Sequence, residues 1–406
     1  MRILTVVVIG AGLILVALAG WAGASGRFTG GSSESESVSS LYSPTPKTPA
    51  VDTSSSPPDA SPTAPPLLET ALLYSGFESS QDTIWLAPLS NLREPQTIVV
   101  IPHASEWGIS ASLSPDGQQV AYVVLPPTVL DPGRAADDQA EVWVLPLAGG
   151  EPELLASGAD VRSAPIWSPD GGSLVFQRFD RQRNVPALFR VNLQDKVVSP
   201  LASLEGATSV FPVAYGPRGD PFYAVRIAEG DTEVLAISTV EGSMLTIATI
   251  ADGVARDWQL SPDGRRMAFV EQAAGGGWKL WVLDLEDGSL LRLEAEGLPT
   301  DRELFSPVWH PGQGLITLGT APGDDGNGVL SLSLSGGAAE QLPGPEQGFD
   351  VPLAWSPQGD LLVVQEFAEF PVRHRPRLRL IAPDGQRQVL ADEAEVTFIG
   401  WSAGGN

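Results

Sequence analysis

Short apolar runs with the two-residue alternation of β-strands recur along the chain. Val120-Ala121-Tyr122-Val123-Val124 and Met267-Ala268-Phe269-Val270 are examples. Each follows a turn and is preceded by a short run ending in a bulky residue: Leu113, Trp167, Tyr215, Leu260, Trp309, Trp355 or Trp401. A third run has an aromatic or leucine at its centre, as in Val142-Trp143-Val144-Leu145, Leu188-Phe189-Arg190-Val191 and Leu280-Trp281-Val282-Leu283. A weaker fourth run follows, as in Leu290-Leu291-Arg292-Leu293. Strands this short, with period-two patterning and turn residues between them, predict antiparallel hairpins.

The turn between the first and second runs is spelled three times as Ser-Pro-Asp-Gly, at 114–117, 168–171 and 261–264. Decayed copies stand at Gly216-Pro217-Arg218-Gly219, His310-Pro311-Gly312-Gln313 and Ser356-Pro357-Gln358-Gly359, and a prolineless remnant is at Ser402-Ala403-Gly404-Gly405. Proline presets φ for the second turn position, aspartate tolerates the third, and glycine supplies the left-handed residue that rejoins the ladder. The prolines are spaced by 54, 48, 45, 49 and 46 residues. Four short strands every 40–50 residues or so predict the blades of an all-β propeller.

The ends complement each other. Ala71–Tyr74, Thr83–Leu86 and Thr97–Val100 read as strands two to four of a blade without a first strand, and Val396–Trp401 reads as a first strand with nothing after it. Joined, they make a composite blade, the seventh, which leaves no unpaired sheet edge. The Ser-Pro-Asp-Gly hairpins with their preceding tryptophan resemble the repeats of TolB-type, WD-like β-propellers, which also occur in prolyl-oligopeptidase-like proteins. The resemblance covers 67–406 and implies a partner-binding role. The α/β domain that precedes the propeller in TolB has no counterpart here, and a linker takes its place.

Residues 1–24 contain an apolar run from Ile3 to Ala24 after Arg2. It is long enough to span a bilayer as a helix, which takes about 20 residues, and its small residues also fit a signal-peptide exit. Either reading places the remainder outside the cytoplasm, in the cell envelope, anchored to the membrane or secreted. Residues 25–66 are a Ser/Thr/Pro-rich tether with nothing to pack. The chain has no cysteine, so disulfides, thiolate nucleophiles and Cys-ligated metals are excluded. The three histidines are scattered, and neither a metal nor a cofactor is expected. The formal net charge of −25 argues against a nucleic-acid partner and for a soluble monomer open to cationic partners. No G-x-S-x-G elbow is present.

Blade topology puts the connections entering each blade on the face opposite the Ser-Pro-Asp-Gly turns. They bring Trp107, Asp160, Arg162, Arg256, Asp257, Trp258, Asp301, Arg302, Glu303 and Asp350 to the channel mouth. These are either a polar binding ring or salt bridges tying blades together. Loops between second and third strands on the same face carry two arginine groups, Arg178, Arg181 and Arg183, and Arg373, Arg375 and Arg377. Their positive charge in an acidic chain fits docking of an envelope protein or an anionic cell-wall glycan. A rival reading is a glycosidase- or lactonase-like enzyme using Asp160, Asp257, Asp301, Glu303 and Asp350. It needs two free carboxylates about 5–10 Å apart, whereas pairing of each to an arginine favours the structural role.

Overall fold

The computed structural model describes residues 5–9, 12–16, 70–250, 253–323, 327–370, 376–382, 384–391 and 395–402. Seven four-stranded antiparallel sheets follow one another in a ring. Blade I is built from Ser110–Leu113, Gln119–Val124, Ala140–Pro146 and Glu153–Ala159, and blade II from Ile166–Trp167, Ser173–Asp180, Val185–Asn192 and Val198–Ser203. Blade III comprises Ala207–Tyr215, Phe222–Ala228, Asp231–Ile237 and Met244–Ile250, and blade IV Gly253–Leu260, Arg266–Ala273, Trp278–Asp284 and Leu290–Leu293. Blade V comprises Leu304–Trp309, Leu315–Thr320, Leu330–Ser333 and Glu340–Gln341, and blade VI Phe349–Trp355, Leu362–Phe367, Arg377–Ile381 and Arg387–Ala391. Blade VII opens with the C-terminal strand Glu395–Ser402, beside Ala71–Glu78, Gln81–Pro88 and Gln96–Pro102. Ala71 pairs with Ser402 and Phe77 with Glu395, so the two ends of the chain close the ring.

First strands of successive blades lie against one another from blade VII round to blade VI, which makes them the inner wall. Aromatics on the second strands fill the spaces between sheets: Phe176, Phe222 and Phe269 are fully buried. Burial of each stabilises the fold by about 1.5–3 kcal/mol. Tryptophans that end first strands add a directional bond. Trp167 Nε1 donates to the Ser112 carbonyl of the blade before (3.3 Å), and Trp309 Nε1 donates to the Gln259 carbonyl (3.0 Å).

The turn chemistry repeats with the spelling. Ser114 Oγ donates to Asp116 Oδ1 at 2.5 Å, and the Gln118 and Gln119 amides are accepted by Asp116 Oδ1 and Ser114 Oγ. Gly117 has φ 69°, the left-handed conformation that glycine adopts freely. The Ser168 and Ser261 turns repeat this circuit, and the serine hydroxyls hold Asp170 and Asp263 below the usual carboxylate range. Two of the decayed turns keep side-chain bonds with other atoms. In the blade VI turn the carboxylate comes from Asp360, whose Oδ1 accepts from Ser356 Oγ at 2.6 Å. In the blade V turn His310 replaces the serine: Nδ1 accepts the Gly312 amide at 3.2 Å, and Nε2, which therefore carries the proton, donates to the Gly359 carbonyl of the next turn at 3.0 Å.

In the apolar N-terminal run, Thr5–Ile9 and Gly12–Val16 pair as a short hairpin. The helix expected over 1–24 is therefore not among the described residues, and no described helix is long and apolar enough to cross a membrane. The tether 25–66 and the remnant Ala403-Gly404-Gly405 lie outside the described residues.

Phe398, 6% exposed, lies on the closing strand and packs edge-on to Trp401. Phe398→Ala is expected to destabilise the ring by about 3–5 kcal/mol, seen as a fall in the thermal unfolding midpoint. The control Val240→Ala, at an 84% exposed site, should leave that midpoint unmoved.

Candidate functional site

Among the described residues, the expected rim residues on the face opposite the turns form three separate charged knots rather than one continuous ring. At the joint of blades I and II, Arg162 forks onto Asp160, with Nε to Oδ1 at 2.8 Å and Nη2 to Oδ2 at 2.6 Å. The same Nη2 donates to Asp137 Oδ1 at 2.6 Å. Asp137 and Asp138 belong to the long loop of blade I between its second and third strands. A one-turn helix, Pro132–Ala135, begins there with the Asp131 side chain accepting the Arg134 amide. Ala135 and Ala136 are buried, and the Val161 and Phe179 amides donate to the Ala136 and Asp137 carbonyls. The loop is thus a strap across two blades. Arg181 of blade II grips it through Asp138 and the Arg134 carbonyl.

At the joint of blades IV and V, Arg256 is 5% exposed and lies between two carboxylates. Its Nη1 donates to Asp257 Oδ2 (2.8 Å), and its Nη2 donates to Glu303 Oε1 (2.7 Å) and the Leu304 carbonyl (2.9 Å). The rings of Trp278 and Phe305 face its guanidinium at 4.8 and 5.5 Å. Asp257 Oδ2 also accepts the Ser306 amide at 2.9 Å, while Oδ1 is buried without a hydrogen bond among the described residues. Burial pushes the Asp257 carboxyl up to about 6 despite Arg256, and raises Glu303 as well. Asp257 (φ 59°) and Ser306 (φ 45°) occupy the same place, four residues before the turn, where bulges shift the register of the first strands. In blade VI, Arg387 holds Asp350 bidentately at 2.7 and 2.8 Å and reaches Glu366 at 2.8 Å, which Arg379 also contacts.

The remaining expected residues scatter. Trp107 is half-buried against the cluster shared by blades I and II. Trp258 stacks on Phe269 at 4.2 Å and, with Ile166, Phe211 and Val213, lines a cavity of about 250 Å³ against the first strands. Asp301 is exposed. Arg302 lies against Gly323, where it leaves no room for a Cβ. Arg178 covers the Phe189 ring at 5.1 Å, Arg183 bonds Asp180 and Ser203, and Arg377 sits 4.0 Å from Glu366. Arg373 and Arg375 lie outside the described residues. Arg256, Asp257 and Trp258 fall within a first strand, not in the connection before it, because that strand runs back through its bulge to Gly253.

One polar contact was not anticipated from sequence. His103, just past the last strand of blade VII, is 1% exposed and stacks on Phe77. Its Nδ1 lies 2.8 Å from the Ala104 carbonyl and its Nε2 lies 3.3 Å from Asp82 Oδ1. Both neighbours are acceptors, so both nitrogens must carry protons to satisfy them. Asp82 Oδ2 in turn accepts the Ile109 amide at 2.7 Å, tying the closing blade to the strand that starts blade I.

No family model matches the chain. A curated TolB homolog from Chlorobium luteolum is 29% identical over 149 residues, which are 36% of this chain and 32% of that protein. The chain thus spans about a third of the length of the relative it matches. A solved prolyl endopeptidase matches with TM-score 0.55 at 13% identity, over 81% of this chain and 50% of its own. An oligogalacturonate lyase from Vibrio parahaemolyticus matches with TM-score 0.54 at 12% identity, over 80% and 86%. The solved structures establish the fold, and the sequence match makes part of the chain similar to TolB.

Arg256→Met would strand the buried Asp257 and the half-buried Glu303, and is expected to lower stability by about 3–5 kcal/mol in chemical denaturation. His103 gives a pH test. Burial pulls its pKa down, but the Asp82 carboxylate and the Ala104 carbonyl more than reverse this, leaving it above the ordinary 6.5. A raised folded-state value makes this stabilisation complete below pH 6.5 or so, and it is lost as pH rises through the folded value. The unfolding midpoint of the native chain should therefore fall across that window more steeply than that of His103→Gln.

Proposed function

We propose that the chain is an extracytoplasmic β-propeller held at the cell envelope through its N-terminal segment, and that it serves as a protein-binding or scaffolding module. The observation that carries this reading is the pairing on the loop face. Asp160 is held by Arg162, Asp257 and Glu303 by Arg256, and Asp350 by Arg387. Hydrolysis by a carboxylate pair needs one acid and one base open to substrate, whereas Arg162 and Arg256 hold these groups at the joints between blades and Arg387 holds Asp350 within blade VI. What they create is a rigid rim, and loops carried on a rigid scaffold are where binding residues concentrate. The TolB-type repeats support the same reading through the partner-binding role that the resemblance implies.

Arg183 is the outward charge of this rim, with a side chain 60% exposed, whereas Arg181 is committed to the Asp138 strap. An envelope protein with an acidic surface, or an anionic cell-wall glycan, would meet Arg183 first. The test is affinity capture by the full-length chain from its own envelope extract. A discrete prey is expected, its recovery falling severalfold with Arg183→Glu and less with the neutral Arg183→Gln. Recovery of sugars with turnover, abolished by Asp301→Asn at the exposed carboxylate, would instead establish an enzyme.

A further inference from the structure

Glu271 is a carboxylate that neither the repeat architecture nor the rim uses. It stands on the second strand of blade IV, 5% exposed, at the wall of a cleft that blade IV shares with the outer strand of blade III. Thr249, Phe269, Gly275, Lys279 and Trp281 complete the cleft, whose volume is about 460 Å³. Glu271 Oε2 accepts the Trp281 indole N–H at 2.5 Å and faces Lys279 Nζ at 3.4 Å. Those two donors leave acceptor sites on the carboxylate open. The lysine distance is long for a charge-assisted bond, which closes to about 2.7–2.9 Å. Lys279 also lies over the Trp281 ring, 5.7 Å from its centroid, with its side chain 29% exposed.

A buried carboxylate at a cleft wall beside an indole face is the pairing that receives a cation, and the chain's own lysine fills that place loosely. A guanidinium does both jobs better, because its planar fork matches a carboxylate and stacks on an aromatic ring. The net charge of −25 draws such groups in from solution. At the lip, the turn Gly275-Gly276-Gly277 adds no side chains, and a Cβ on Gly275 would meet nothing within 4 Å. From this we infer that the cleft between blades III and IV is a recognition site for a basic side chain, arginine foremost, presented by a peptide segment of a partner. The arginine displaces Lys279, bonds Glu271 and stacks on Trp281. The site is independent of the blade II rim, so a negative result here leaves the rim reading intact.

The test uses the full chain labelled with 5-fluorotryptophan, the Trp281 ¹⁹F resonance being assigned with Trp281→Phe. Nα-acetyl-arginine amide is titrated against its neutral isostere, Nα-acetyl-citrulline amide. A saturable shift with arginine and none with citrulline is expected. Lys279→Met, which removes the competing cation, should tighten binding by about two- to fivefold, the range of one exposed cation–π contact. Glu271→Gln should abolish the shift, and so should Gly275→Trp, which fills the lip without touching the buried groups. An unmoved Trp281 resonance, an equal response to citrulline, weaker binding in Lys279→Met, or binding that survives Gly275→Trp would each overturn the assignment.

Discussion

A propeller blade is a twisted sheet with apolar residues on both faces, and it is stable only when each face has a neighbour. In a ring, every blade therefore depends on the ring being shut. Here the latch is backbone pairing of Glu395–Ser402 with Ala71–Glu78, and with no cysteine in the chain no covalent bond supports it. The side chains around the latch reinforce it from both sides. Phe398 and Trp401 reach towards blade VI, while His103 and Asp82 bind the closing blade to blade I. Stability at this seam is a property of the whole circle, because opening it exposes two apolar faces at once.

The charged joints extend the same logic to the loop face. Arginine is suited to them, since one guanidinium can reach two blades in fixed directions. Arg162 reaches from Asp160 to Asp137, and Arg256 from Asp257 to Glu303. A carboxylate locked this way is a poor proton shuttle but a good strut. The aromatic faces over Arg256 exclude water from the pair and strengthen its electrostatics.

The ring was legible in the sequence because its signals are local. The turn circuit is spelled three times by serine and aspartate two residues apart, and a half-blade at each end of the chain implies its complement. The knots were only half legible. Asp160 and Arg162 are neighbours in sequence as in space, but Asp350 takes Arg387, which stands on the outer strand of its blade, and no local pattern announces that span. Arg256 and Asp257 were misplaced into a connection because the bulge breaks period-two alternation: Ala255, Arg256, Asp257 and Trp258 are buried in succession. The arginines of the blade II loop read as a free patch because the acids that grip Arg181 come from the previous blade.

The blade VI turn, in which Asp360 does the work that the third-position aspartate does elsewhere, separates a motif from the physics that it spells. The backbone asks for a carboxylate within reach of the serine hydroxyl and is indifferent to which residue sends it. His310 makes the same point with an imidazole. Blades tallied by spelling alone are therefore a lower bound for chains of this kind. A search written in donors and acceptors, instead of letters, would find members whose alphabet has drifted while their hydrogen-bond wiring has not.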